Sequence, residues 1–143
     1  MADALSIWQP ICDRIRAQVP ALKAVLPAWD LASVVERSQV TPAVFVVYDG
    51  EDVADQVSNG KTVLESQRFV IVLAVRNASD TLGGSGAAED AMAIRTAIYA
   101  ALSGWVPGPA HRPMTRARSG YRPHYTPGFA YLPVAFETKS FVP

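Results

Sequence analysis

The residues that could carry chemistry begin with Gly83-Gly84-Ser85-Gly86, because a glycine-rich loop running into a helix can expose backbone N–H groups to a phosphate. The string fails the patterns that would make it such a cradle. A P-loop needs Lys followed by Ser or Thr after its last glycine, where this chain has Ala87-Ala88, and the dinucleotide fingerprint needs glycine where Glu89 stands. Glu89 and Asp90 would also repel a phosphate. The same residues approach the G-x-S-x-G elbow of serine hydrolases, whose partners follow in the order acid, then His. Between Ser85 and His111 the only acids are Glu89 and Asp90, in the first turn of the helix that the serine opens, so no triad is laid out. His111 and His124 have no acid between them, and the single thiol, Cys12, falls on an apolar helical stripe, which favours a buried structural role over metal ligation. The expectation is a protein with no catalytic set, no cofactor and no metal site.

The elements around these residues are marked by periodicity. Ala91, Ile94, Ile98, Ala101, Leu102 and Trp105 recur at helical spacing and predict one long amphipathic helix over 87–105, with acids in its first turn and Gly104 where a left-handed cap belongs. Leu5, Trp8, Ile11, Cys12, Ile15 and Val19 predict an N-terminal helix that becomes regular between Ser6 and Pro10 and stops before Pro20. Lys23 to Leu26 has short strand character, and Asp30 could cap a short helix through Glu36. Thr41 to Tyr48 reads as a strand. A polar loop with Asp49, Glu51, Asp52 and Asp55 then reaches the turn dipeptide Asn59-Gly60, predicting a hairpin with a long tip. The strand from about Val63 to Arg76 is apolar on both sides of its alternation, as expected of a central strand covered on both faces. Residues 77–86 read as a loop. Beyond Trp105 prolines and glycines break the chain, leaving one short strand within Met114 to Gly120 and a last strand over Phe129 to Phe141. Pro133 predicts that this last strand is an edge or bulged. The fold class is α/β in the α+β sense: a mostly antiparallel sheet of four to five strands packed by one long helix and an N-terminal helix, in a single domain over 1–143.

Composition points towards assembly. Half of the residues are hydrophobic and 18% are charged, below the roughly 25% usual for soluble domains. Net charge is zero, so no global attraction to nucleic acid or membrane arises, but the charge is segregated. Residues 1–90 hold 12 acids against 7 Lys or Arg, and residues 91–136 hold 5 Arg and no acid. No apolar run is long enough to span a bilayer. In the basic region Arg112, Arg116, Arg118 and Arg122 are interleaved with Tyr121, His124, Tyr125, Phe129 and Tyr131. That mix suits a protein interface, and it also suits single-stranded nucleic acid. Opposite charge on two parts of one chain suits head-to-tail contacts between copies, which makes Arg112, Arg116, Arg118, Arg122 and Tyr121 on one side, and Asp49, Glu51, Asp52 and Asp55 on the other, candidate interface residues.

Taken together, the layout and a few local strings resemble the tail terminator proteins of long-tailed bacteriophages, lambda-like and Mu-like. The resemblance spans nearly the whole chain and rests on the element order, on Ala101-Leu102-Ser103-Gly104-Trp105-Val106-Pro107 at the exit of the long helix, and on Phe136-Glu137-Thr138 in the last strand. It implies a non-enzymatic virion protein: a homohexameric ring that caps the head-proximal end of the tail tube, stops its polymerisation and joins the head connector. Its partners would be itself, the tail tube protein, the connector or neck protein, and genomic DNA passing through the lumen without sequence-specific binding. Assembly would take place in the host cytoplasm, away from membranes. A basic lumen would bind the genome tightly, so the arginines are expected at a subunit or partner contact. Another neck or tail-completion protein, or a small nucleic-acid-binding module using residues 112–131, remain the alternatives.

Overall fold

The computed structural model describes residues 3–37, 40–76 and 84–143, with the backbone alone at 36–37 and 84–88. A 3-10 turn at Ala4–Ile7, capped by Asp3, leads into helix α1, Trp8–Gln18. Strand β1, Ala24–Ala28, and helix α2, Leu31–Arg37, follow, the latter opened by a hydrogen bond from the Ser33 N–H to the Asp30 carboxylate. Then come β2, Ala43–Val57, a tight 3-10 reversal at Ser58–Gly60, and β3, Thr62–Arg76. Helix α3, Gly84–Leu102, is followed by β4, Thr115–Ala117, β5, His124–Thr126, and β6, Phe129–Val142. These strands form one sheet in the order β1-β2-β3-β6-β4, with β5 also on β6; β1 is parallel to β2 and the other pairings are antiparallel.

The alternation of β3 decides how the layers stack. Phe69, Ile71 and Leu73 face α1 and α3, where they join Ile11, Ile15, Ile98 and Leu102 in the larger apolar cluster. Val70, Val72 and Ala74 face the other way, into a second cluster with Phe45, Val34 of α2 and Tyr131. Both faces of the strand are buried, as its double apolar pattern requires. Gly104, at φ +77, ends α3 in a left-handed conformation open to glycine without strain, and its N–H donates to the Met114 carbonyl. Trp105 therefore leaves the helical stripe. It lies half-buried beyond the helix end, with the Arg14 guanidinium over its ring.

Several expectations need correction. The acidic run is strand, not loop: β2 continues through Asp49, Glu51, Asp52 and Asp55 to Val57, paired with β3 except at Asp49, Gly50 and Ala54, and the reversal is confined to Ser58–Gly60. Pairing to a neighbouring strand overrides the poor intrinsic β preference of Asp and Gly. Register shifts between Tyr48 and Glu51 and between Val53 and Asp55 accommodate them. The sheet has six strands where four to five were expected: β4 falls within the short strand expected in Met114 to Gly120, and β5 is the addition, too short to leave a periodic trace. The last strand is internal and not an edge, since β6 runs the length of β3 and carries β4 and β5 on its outer side. Pro133 is tolerated because β5 pairs with 129–131 and β4 with 135–137, which leaves 132–134 without an outer neighbour. Helix α3 begins at Gly84, and the loop expected at 77–83 lies outside the described residues.

Leu102 is fully buried between α3 and the sheet. Leu102→Ala should cost about 2–5 kcal/mol by removing packed methyl groups and leaving a cavity. Urea unfolding should show a lower midpoint with an unchanged slope, and a loss below about 1 kcal/mol would mean that α3 is not packed on the sheet as described.

Candidate assembly interface

The acidic candidates fall on the outer half of β2, in the arm formed where β2, β3 and β6 continue past the end of β1. Every residue from 51 to 61 is exposed. At the root of the arm the Arg68 Nε–H donates to the Asp49 carboxylate at 2.9 Å, and its guanidinium lies 3.5 Å from Asp52. The hydrogen bond it donates to Asp49 is the main cause that holds the Arg68 guanidinium above its ordinary pKa. Two of the four acidic candidates are thus neutralised within the chain. Among the described residues Asp55 accepts only from the neighbouring Gln56 N–H, and Glu51 is held above its ordinary pKa by desolvation and by the charges of Glu65, Asp3 and Asp52. Glu51 and Glu65, with Asp3, line a hollow of about 450 Å³ that also touches Leu5 and Tyr48.

Behind this hollow the chain after α3 straps the arm to the body. Gln67, Thr138 and Ser140 are buried polar residues on the sheet face toward α1. The Thr138 hydroxyl donates to the Arg112 carbonyl and the Ser140 hydroxyl to the Ala110 carbonyl, while the His111 Nε2 lies 3.1 Å from the Gln67 Oε1. Each bond satisfies a group that burial would otherwise leave costly. His111 is a member of this strap. Gly108 is required here, because a Cβ would come within 2.9 Å of the His111 ring and 3.2 Å of Ile7.

The arginines are split by the sheet. Arg116 pairs with Phe136 in register and points to the α3 side, where its guanidinium lies 4.1 Å over the Tyr99 ring, a ring also approached by Arg95 at 5.7 Å. Arg112 lies 5.8 Å over Phe141. Tyr121 packs against the second cluster on the opposite face, where burial, then the charges of Asp49 and Asp30, push its hydroxyl pKa up. Arg118 and Arg122 are exposed. The structure therefore brings Arg112 and Arg116 to the β4 edge and parts them from Tyr121. Among the described residues no ion pair involves Arg112, Arg116, Arg118 or Arg122. Tyr131 is buried and Phe129 half-buried, so of the rings expected to offer a stacking platform only Tyr125 and His124 are open.

Sequence reasoning missed the opposite edge. Pro27 in β1 stands opposite Val46, whose carbonyl accepts a hydrogen bond from the indole N–H of Trp8 at 2.7 Å. Trp29 then packs edge-on against Trp8, with centroids 4.8 Å apart, yet is 71% exposed. A groove of about 330 Å³ opens beside it, lined by Leu5, Trp8, Pro27 and Trp29. The available signal was a tryptophan just after Pro27 in a connector, which periodicity does not weigh. Cys12 is fully buried, and desolvation pushes its thiol up to about 11. No group of three or more His, Cys, Asp or Glu that could hold a metal is formed among the described residues. No helix among them is long and apolar enough to cross a membrane.

Comparison with known proteins places this geometry. A family model described as "Phage tail terminator protein" matches residues 1–143. A solved structure titled "Virion of native gene transfer agent (GTA) particle" contains a chain of similar fold, with a TM-score of 0.51 and 15% identity over 99% of this chain and 96% of that one. No curated protein matches.

Two outcomes follow from the local chemistry. Cys12 should resist alkylation in the native protein at pH 8 and react on unfolding; rapid native labelling would contradict its burial. Because the fold prefers the neutral thiol, stability should fall as pH rises from 9.0, where an exposed thiol ionises, towards about 11. Arg68→Gln should loosen the arm and speed tryptic cleavage after Lys61, with little change in the thermal midpoint, because the ion pair is partly exposed. Equal cleavage rates in the two proteins would remove Arg68 as the tie of the arm.

Proposed function

The chain belongs to the phage tail terminator family, virion structural proteins that act in completing the tail, and we propose that it forms a homohexameric ring on the head-proximal end of the tail tube. There it stops tube growth and presents the surface that joins the connector or neck protein. The genome passes through its lumen without base-specific contacts.

The observation that carries this reading is the placement of unlike surfaces on opposite edges of one sheet. Arg112 and Arg116 occupy the β4 edge, and Glu51, Asp52 and Asp55 lie on the outer part of β2, where β1 leaves the edge open. Surfaces that differ at two edges favour heterologous contacts, which close into a ring when the rotation between copies permits. Family membership supplies the tail; the ring, its stoichiometry and the joining surface are our reading. The coverage of both sheet faces supports it as well, since edges are what remains for assembly.

The nucleic-acid reading is weaker on this geometry. Single-strand binders need open rings beside their cations, whereas Tyr99 and Phe141 already lie beneath guanidinium groups and Tyr131 is buried. Arginines already stacked on rings remain free to meet carboxylates of another protein.

Purified protein added at stoichiometric amounts to polymerising tail tube subunits should cap the tubes and fix their length in electron micrographs. Tubes of unregulated length would overturn the reading. The double reversal Arg116→Glu with Arg118→Glu should abolish assembly while leaving the circular dichroism spectrum unchanged. If that variant assembles normally but loses a gel shift with single-stranded DNA, the segment is a nucleic-acid site instead.

A further inference from the structure

The groove beside Trp29 has a property that the tail-completion role does not explain. An indole 71% exposed, held edge-on by a second tryptophan, is an ordered apolar surface without a cover. Trp8 is itself fixed by its bond to the Val46 carbonyl and packs 6.4 Å from Tyr48, so the indole pair is anchored to the sheet. Exposed, rigid tryptophans of this kind are common anchors of interfaces, because they bury a large area at little conformational cost.

Two neighbouring features define what would cover it. Leu5 lines both the Trp29 groove and the adjoining hollow with Asp3, Glu51 and Glu65, so apolar floor and acidic rim are continuous. The far edge of the same sheet carries the complement: Arg112 and Arg116, each laid over an aromatic ring, with no carboxylate partner among the described residues. Trp29, just after β1, and Arg116, in β4, stand at opposite ends of the strand order, four strand spacings or roughly 19 Å apart, so one copy cannot bring its own β4 edge to its own groove.

We propose that the Trp29 groove is the acceptor half of the contact between neighbouring copies: it receives the β4 edge of a second copy, with Trp29 and Leu5 against the apolar parts of that edge and Asp3, Glu51 and Glu65 facing Arg112 and Arg116. The proposal rests on the ring reading above and specifies which surfaces meet. The occupant is a second copy because the chain itself supplies the complementary charge, already ordered by the rings of Tyr99 and Phe141. Guanidinium groups also stack on indole faces, so the same arginines match both the acidic rim and the tryptophan.

The test compares the full chain with a Trp29→Ala variant and with single-cysteine probes that keep the anchors. Trp29 is exposed, so Trp29→Ala should keep the thermal midpoint and circular dichroism of the wild type. It should weaken self-association by about thirty-fold or more, as expected when an interface anchor is truncated, read by sedimentation or by the concentration needed to cap tail tubes. Mixing a Gln9→Cys copy, labelled at the groove, with a Thr115→Cys copy, labelled on β4, and a short bis-maleimide should give a cross-linked heterodimer, whereas Gln9→Cys alone should give none, because the contact is head to tail. Buried Cys12 does not compete for the reagent. A Gln9→Cys homodimer, or wild-type assembly and capping by Trp29→Ala, would overturn the proposal while the ring reading stands. A wild type that neither self-associates nor caps tubes would overturn both.

Discussion

The rest of the molecule depends on β3 being buried on both faces. Its two rows of side chains, Phe69, Ile71 and Leu73 on one side and Val70, Val72 and Ala74 on the other, cannot meet water without a large hydrophobic cost, so each face demands a cover. Helices α1 and α3 cover one. Helix α2 and the irregular stretch around Tyr121 cover the other. Once both faces are occupied, what the sheet can still offer to other molecules is its edges and whatever extends beyond its body. The arm, the Trp29 groove and the β4 arginines are all of that kind.

Charge placement follows from the same constraint. A strand edge with free N–H and C=O groups invites uncontrolled pairing, and the outer part of β2 is such an edge, because β1 pairs with it only as far as Val47. It carries Glu51, Asp52 and Asp55 and two register shifts, which discourage another strand from adding on. The arm therefore keeps its shape without polymerising through its backbone. Asp49 and Asp52 serve the fold by holding Arg68, and Glu51 with Glu65 and Asp3 keep unbalanced negative charge at the arm's root.

How much of this was legible in the sequence depended on whether a feature was periodic and local. Ala91, Ile94, Ile98, Ala101 and Leu102 announced α3 because one face of a helix recurs within a short window, and the double alternation of 69–75 announced a central strand. Gly104 marked the helix end correctly for the same reason: a left-handed cap is a property of one residue. The acidic strand was not legible, since Asp and Gly argue against strand until the partner residues 62–69 are brought alongside. Nor was the internal position of β6, because Pro133 is forbidden only where an outer neighbour needs its amide, and the gap between β5 and β4 lies in no local pattern. The candidate site was readable as two unlike charged regions. Its division was not, as only tertiary pairing puts Arg116 beside Tyr99 and sends Tyr121 to the opposite face.

Stacking explains how strongly charged side chains can wait for a partner at low cost. An arginine free in solution must lose much of its rotamer freedom when it binds, and that loss offsets a large part of any surface ion pair. Laid over Tyr99 or Phe141, the guanidinium is already ordered, and a cation over a ring face retains its N–H donors for an incoming carboxylate. The acidic rim is in the reverse condition, with like charges crowded and Glu51 held above its ordinary pKa until a positive partner relieves it. Bringing the two together relieves repulsion on one side and loses little entropy on the other. The same contact is weakened by salt, because much of it operates near water. Surfaces of this kind suit assembly: the chain has zero net charge but separated poles, and a contact that joins them favours the partner that supplies a second contact at the same time.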